Sequence, residues 1–304
     1  MTGPDREASG SSPDAVCAVL VVMGAGVMGQ GIARLFANAG MQVTLVDTRE
    51  VAFAHPGVTM ARQAPRNVVP DLVIEAVFED LSVKQAVYAE IEAVYHGRPV
   101  LATNTSGLPL EELAAPLRYP KRFLAMHFFM PADLFPMIEV VRAPNTEESA
   151  GALAVAAVRQ AGRDPILLQR PVTGYLINRL QHSILHEAYH LIEDGTATPE
   201  MIDSVAKRLL GPRMCITGLL EQKDLAGLEM HAQAQRSIVP TLSHTGVPNA
   251  MVQEMVARGD VGVRTGRGFY DWHGRDTAAA QRRASERLQR LLAYLEQDKE
   301  SAGG

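Results

Sequence analysis

The apolar residues of this chain change their spacing part-way along it. Between residues 19 and 168, short continuous apolar runs alternate with stretches of helical spacing. Val19–Met23 reads as a strand, 27–39 as a helix and the run ending at Asp47 as a second strand. Then follow strand 72–77, helix 81–94, strand 100–102, a short helix at Leu110–Ala114 and strand Phe123–His127. Two further strands, 137–141 and 165–168, flank a helix at 147–161. Unbroken apolar runs of this kind suit strands covered on both faces, and their alternation with helices predicts a doubly wound, mostly parallel sheet. Pro56, Gly57, Pro65 and Pro70 break any long helix after Asp47, so 48–70 reads as a short irregular connection. After residue 169 the strand signal stops, and 175–193, 199–210 and 220–258 carry helical spacing. The fold class is therefore α/β: a sheet domain over 15–170, followed by an all-α C-terminal domain over 171–304. Residues 1–14, polar and rich in Gly, Pro and Ser, read as a disordered leader. The tail 276–298 places Leu288, Leu291, Leu292 and Leu295 on one side, as a packed extra helix or part of a subunit contact.

Gly24, Gly26 and Gly29 form G-x-G-x-x-G directly between the first strand and the first helix, the context in which that pattern binds a dinucleotide. The glycines allow a sharp turn, close approach of backbone N–H groups to a pyrophosphate, and tight helix–strand packing. The pyrophosphate meets the helix N-terminus at Val27 and Met28, where N–H groups and the dipole favour an anion. Asp47 closes the second strand, where a carboxylate accepts from a ribose 2′-OH and repels a 2′-phosphate. The domain is thus Rossmann-type, and the expected cofactor is NAD rather than NADP.

Composition narrows the partners. The 304 residues are 47% hydrophobic and 21% charged, with a formal net charge of −5 and no long basic run. That balance points to a globular protein with a small-molecule substrate, and away from nucleic acid or an anionic membrane. Cys17 and Cys215 are too few for a disulfide framework, so a reducing, cytoplasmic setting is expected. The apolar run 15–28 reads as a core strand rather than a secretory signal, because Asp5, Glu7 and Asp14 dilute Arg6.

Four polar positions stand in suggestive contexts: Asn104-Thr105-Ser106 after a strand, His127 ending a strand, Glu139 in the next, and Asn178 opening the helical domain. Oxidising a secondary alcohol needs a base with a pKa near neutrality to take the hydroxyl proton, and His127 has that chemistry. A carboxylate such as Glu139 can orient an imidazole and stabilise its charged form, while Ser106 and Asn178 can hydrogen-bond the substrate oxygen. His186-Glu187-Ala188-Tyr189-His190 is a literal H-E-x-x-H, but so short a pattern arises easily by chance, and no metal is expected.

The segments GAGVMGQGIA, DLVIEAVFEDLSVK, NTSGL, HFFMP, IEVV, TGYLINRL and GRGFYDW, in this order over 19–272, resemble the 3-hydroxyacyl-CoA dehydrogenase family. The resemblance implies NAD-dependent oxidation of a 3-hydroxyacyl-CoA to the 3-oxoacyl-CoA, or the reverse, within fatty acid metabolism. It makes His127 the base and Glu139 its partner, puts Ser106 and Asn178 on the substrate, and puts Glu79, Lys84 and Arg264 on the cofactor. It also implies a homodimer formed through the helical domain.

Two departures bear on the substrate. Met130 replaces the Asn of the family's HFFNP motif, and a thioether donates no hydrogen bond at that substrate-side position. The family's long helical hairpin, whose Ser and Lys contact CoA, has no room in 48–70. Arg49, Arg62 or Arg66 is an alternative source of phosphate contacts, a free 3-hydroxy acid is an alternative substrate, and a catalytically weak NAD-binding protein is the rival reading.

Overall fold

The computed structural model describes residues 16–302, so the leader expected at 1–14 lies outside the described residues. The first of two compact units ends at Arg179 and the second begins at Leu180. In the first unit the apolar runs become β1 (Val19–Met23), β2 (Gln42–Val46), β3 (Val58–Ala61), β4 (Leu72–Glu75), β5 (Val100–Thr103), β6 (Phe123–His127), β7 (Met137–Arg142) and β8 (Asp164–Leu168). They lie in one sheet in the order β3-β2-β1-β4-β5-β6-β7-β8. Every pairing is parallel except that of β6 with β7.

The helices α1 (Val27–Asn38), α2 (Leu81–Tyr95), α3 (Leu110–Ala114) and α4 (Glu148–Gln160) cover the two faces. Leu20 and Val22 of β1 pack with Ile32 and Phe36 of α1 and with Ala154 and Val158 of α4. Val21 and Met23, pointing the other way, pack with Tyr88 and Ile91 of α2 and Leu113 of α3. Alternate residues of one strand thus feed two cores, which is why the central strands are apolar without interruption. Asp80 caps α2 by accepting from the Val83 N–H at 3.0 Å.

The connection after Asp47 is more regular than the sequence reading implies. Val58–Ala61 pairs in parallel with β2 and becomes the edge of the sheet. Its middle residues, Thr59 and Met60, are exposed, so the strand carries no continuous apolar run, and the surrounding prolines conceal it.

The second unit is helical among the described residues. The boundary falls inside α5 (Ile177–Glu193), and α6 (Pro199–Val205), α7 (Gly211–Thr217), α8 (Glu221–Ala226), α9 (Leu228–Ile238), α10 (Ala250–Ala257) and α11 (Thr277–Ala302) follow. The single helical stretch read at 220–258 is in fact divided. Gly227 turns the chain at φ 93°, and the backbone leaves helix again between Pro240 and Pro248. Conversely α7 begins across Gly211-Pro212, because proline is tolerated in a first helical turn.

Gly29 is the tightest point of this framework, for a Cβ built there would lie 1.8 Å from the Gly24 carbonyl oxygen. Gly29→Ala therefore forces α1 off β1, and chemical denaturation should show a loss of more than about 3 kcal/mol. A variant as stable as the parent would remove this packing constraint.

Candidate active site

The glycine turn, α1 and the end of β2 enclose a cleft of about 690 Å³ lined by Gly24, Gly26, Val27, Met28, Asp47 and Arg49 among others. Gly24 holds φ 101°, and a Cβ there would meet the Ala76 carbonyl oxygen at 2.7 Å, so only glycine fits. Gly26 caps α1 without any side-chain hydrogen bond, and Val27 is exposed, so the first turn of α1 presents its backbone to the cleft. The Asp47 carboxylate accepts from the Ala25 N–H at 2.9 Å and from the Arg49 guanidinium at 3.1 and 3.2 Å. The Arg49 side chain outweighs partial burial and lowers the Asp47 pKa to about 2, so the group is an anion at any physiological pH. An open helix N-terminus beside a fixed carboxylate suits the pyrophosphate and ribose diol of NAD.

At the other side of the sheet domain, the antiparallel register of β6 and β7 sets His127 directly opposite Glu139. Their side chains meet at 2.7 Å between Nδ1 and Oε2, with His127 5% and Glu139 0% exposed. The second Glu139 oxygen accepts the N–H groups of Leu176 and Ile177 at 2.9 and 3.0 Å. Burial pushes the Glu139 carboxyl up, but the His127 hydrogen bond and the two N–H groups more than reverse this and hold it below the usual carboxylate range. An ionised Glu139 accepts from Nδ1–H, which assigns Nε2 as the proton acceptor. Phe129 and Tyr175 pack on the imidazole at ring-centroid distances of 4.7 and 5.4 Å.

Ser106 and Asn178 are also brought together, the Asn178 amide donating to the Ser106 carbonyl at 3.4 Å. Glu79 organises this loop, accepting from the Thr105 hydroxyl and from the Ser106 N–H at 3.0 Å. Lys84, which the resemblance puts on the cofactor, is 1% exposed, and its ammonium lies 2.7 Å from Glu75 and 3.1 Å from Glu79. Its influence on the site is therefore exerted through Glu79. Glu75 is saturated, accepting also from the Val77 N–H, the Tyr88 hydroxyl and the Thr103 hydroxyl.

Sequence reasoning pointed to the Asn104-Thr105-Ser106 loop but missed Glu75, Tyr88 and Tyr175 as parts of the site. Asn104 Oδ1 accepts the Phe128 N–H at 3.0 Å, tying the loop after β5 to the residue following His127. An acidic residue inside the apolar run LVIEAV was the available signal for Glu75, since a buried carboxylate needs partners.

Met130 lies in the loop after β6 and is 67% exposed. Arg264 sits in a short turn of the second unit, on its surface. Arg49 and Arg62 line the nucleotide cleft, and Arg66 is exposed. In the H-E-x-x-H segment His186 Nε2 lies 3.1 Å from the Thr245 hydroxyl and Glu187 accepts from the Ser243 N–H at 2.8 Å, ties that fasten α5 to the loop before α10.

Residues 19–69 and 55–171 match the family model described as 3-hydroxyacyl-CoA dehydrogenase, NAD binding domain, and 174–272 match that family's C-terminal domain. A 3-hydroxybutyryl-CoA dehydrogenase of Mycobacterium tuberculosis is 32% identical over 281 residues, covering 83% of this chain and 97% of that protein. The crystal structure of 5-formyl-3-hydroxy-2-methylpyridine 4-carboxylic acid 5-dehydrogenase, an NAD+-dependent dismutase, superposes with TM-score 0.86 at 27% identity, over 92% of this chain and 99% of the other. A 3-hydroxyacyl-CoA dehydrogenase of Archaeoglobus fulgidus superposes with TM-score 0.68 at 28% identity, over the same 92% and 99%.

The buried Glu75–Lys84 pair yields a stability test. Glu75→Gln leaves the ammonium short of a counter-charge and should cost about 3 kcal/mol in urea denaturation. Adding Lys84→Met should recover most of that loss. If the double variant is no more stable than the single one, Lys84 does not depend on Glu75.

Proposed function

The chain belongs to the 3-hydroxyacyl-CoA dehydrogenase family as an NAD-dependent oxidoreductase, and on that premise we propose that it oxidises a hydroxyl group on a small substrate without CoA. The hydroxyl is that of an alcohol or of a hydrated aldehyde. The observation that carries this reading is the fate of 48–70, which supplies an edge strand where the resemblance expects a CoA-contacting helical hairpin. The closer superposition on the pyridine-carboxylate enzyme supports it, at TM-score 0.86 against 0.68 for the hydroxyacyl-CoA enzyme. The 32% identity to a 3-hydroxybutyryl-CoA dehydrogenase supports a second reading, a 3-hydroxyacyl-CoA substrate.

NAD, when bound, supplies the nicotinamide that accepts the hydride. His127 Nε2 takes the hydroxyl proton, and Glu139, 2.7 Å from Nδ1, stabilises the imidazolium that results. Ser106 and Asn178 hold the substrate oxygen as it passes from hydroxyl to carbonyl. For a hydrated aldehyde the same transfers yield a carboxylic acid, so the residues serve either substrate type.

The second unit acts, in this reading, as the surface of a homodimer. No residue of α6 to α10 is buried, and Leu220, Leu225, Met230 and Ile216 are 63–77% exposed. Apolar exposure on that scale marks an association surface.

Oxidation of NADH should be followed with free acetoacetate and acetoacetyl-CoA, and both oxidation of NADH and reduction of NAD+ with an aromatic aldehyde bearing a neighbouring carboxylate. Turnover of the free compounds and not of the thioester is expected, and robust turnover of the thioester alone would transfer the assignment to the second reading. His127→Ala should lower kcat by about 10²–10⁴-fold while NADH binding persists. Sedimentation at micromolar concentration should give a dimer, whereas a monomer would remove the role assigned to the helical surface.

A further inference from the structure

Tyr175 is a side-chain-bearing residue held at φ 48°, in the left-handed region that glycine occupies without penalty. Gly174 before it, at φ 77°, continues the same turn, which the Tyr175 N–H closes by donating to the Val172 carbonyl at 2.9 Å. The turn has a visible product. The next two N–H groups, of Leu176 and Ile177, point together at one oxygen of Glu139, at 2.9 and 3.0 Å. Ile177 is the first residue of α5, so the turn lays a helix N-terminus on the carboxylate that partners His127.

The side chain of the same residue reaches the other half of the pair. Its ring lies 5.4 Å from the imidazole, tilted by 58°, while Phe129 packs edge-on at 4.7 Å. The Tyr175 hydroxyl is buried with no hydrogen-bond partner, so the ring and not the oxygen accounts for its place here. Backbone strain kept beside a reacting group is a sign of function when the strained residue visibly positions that group.

We propose that Tyr175 is a positioning residue for the reaction: its left-handed backbone delivers two amides to Glu139, and its ring fixes the plane of His127. This rests on the reading of His127 as the base. The charges that act on the Tyr175 phenol are Glu79, Glu139 and Glu75, and Lys84 pairs with both Glu75 and Glu79.

A β-branched residue resists the left-handed region, so Tyr175→Val should release both amides and lower kcat by at least about 30-fold with KM within about threefold. Tyr175→Phe should recover at least about tenfold over the valine variant. In a Glu139→Ala background the valine change should cost only the several-fold that loss of the ring brings, at least about threefold less than in the parent, because the amide part of its effect runs through that carboxylate. An equal loss in both backgrounds would overturn the proposal. A second measurement needs no substrate: amide hydrogen exchange at Leu176 and Ile177 should be slow in the parent and in Tyr175→Gly, which keeps the turn. Exchange should be at least about tenfold faster in Tyr175→Val and in Glu139→Ala. Equal rates in all four proteins would overturn the proposal even if no substrate were turned over, a result that would instead sink the dehydrogenase reading. Should the valine variant not fold, Tyr175→Gly decides, with slow exchange and a several-fold lower kcat expected; fast exchange there, or undiminished kcat, would reject the assignment.

Discussion

A single antiparallel register, β7 against β6, is the constraint on which the reactive end of this protein depends. It places Glu139 opposite His127, and a slip of one residue would turn one of the two side chains to the far face of the sheet. The other pairings among these strands are parallel, so β7 is the strand that runs back along its neighbour and carries Glu139 to the end of β6. Glu139 then recruits the segment after β8 through two backbone N–H groups, which joins the sheet to the start of α5.

The buried charges follow one rule. Glu75, Lys84 and Glu139 lie almost entirely out of water, and each faces partners within hydrogen-bond distance. A buried charge lacking such partners is too costly to keep, so the polar chain Tyr88–Glu75–Lys84–Glu79–Ser106 is a rigid strut rather than a set of separate contacts. It runs from the core to the loop that carries Ser106, which explains how an exposed loop can hold a defined position opposite the His–Glu pair's own strand.

The nucleotide end and the substrate end differ in how closely they follow the family. Glycine turn, helix N-terminus and Asp47 are all in place. At the substrate end, Met130 stands where the family has an amide, and 48–70 completes the sheet instead of projecting a hairpin. The departures from the family pattern thus fall at Met130 and in 48–70, while the glycine motif and the carboxylate at Asp47 are kept.

Much of this was legible in the residues alone. Continuous apolar runs, the spacing of Gly24, Gly26 and Gly29, and the carboxylate at Asp47 are local features, and local features determine strands, helices and a turn that admits only glycine. The order of motifs likewise singled out His127, Glu139, Ser106 and Asn178. What remained hidden were relations between distant segments. The edge strand Val58–Ala61 exists because β2 offers it partners, and its own apolar pattern is too weak to announce it. Lys84 turns inward because Glu75 and Glu79 are there to meet its charge, and Tyr175 takes up a left-handed turn because Glu139, far away in sequence, accepts the amides that the turn exposes. Most elements and the chemical groups they carry could be read from the residues, since propensity and periodicity act over a few positions. Which buried charges pair and which backbone groups converge was fixed by the folded arrangement, because those energies depend on neighbours that folding brings together.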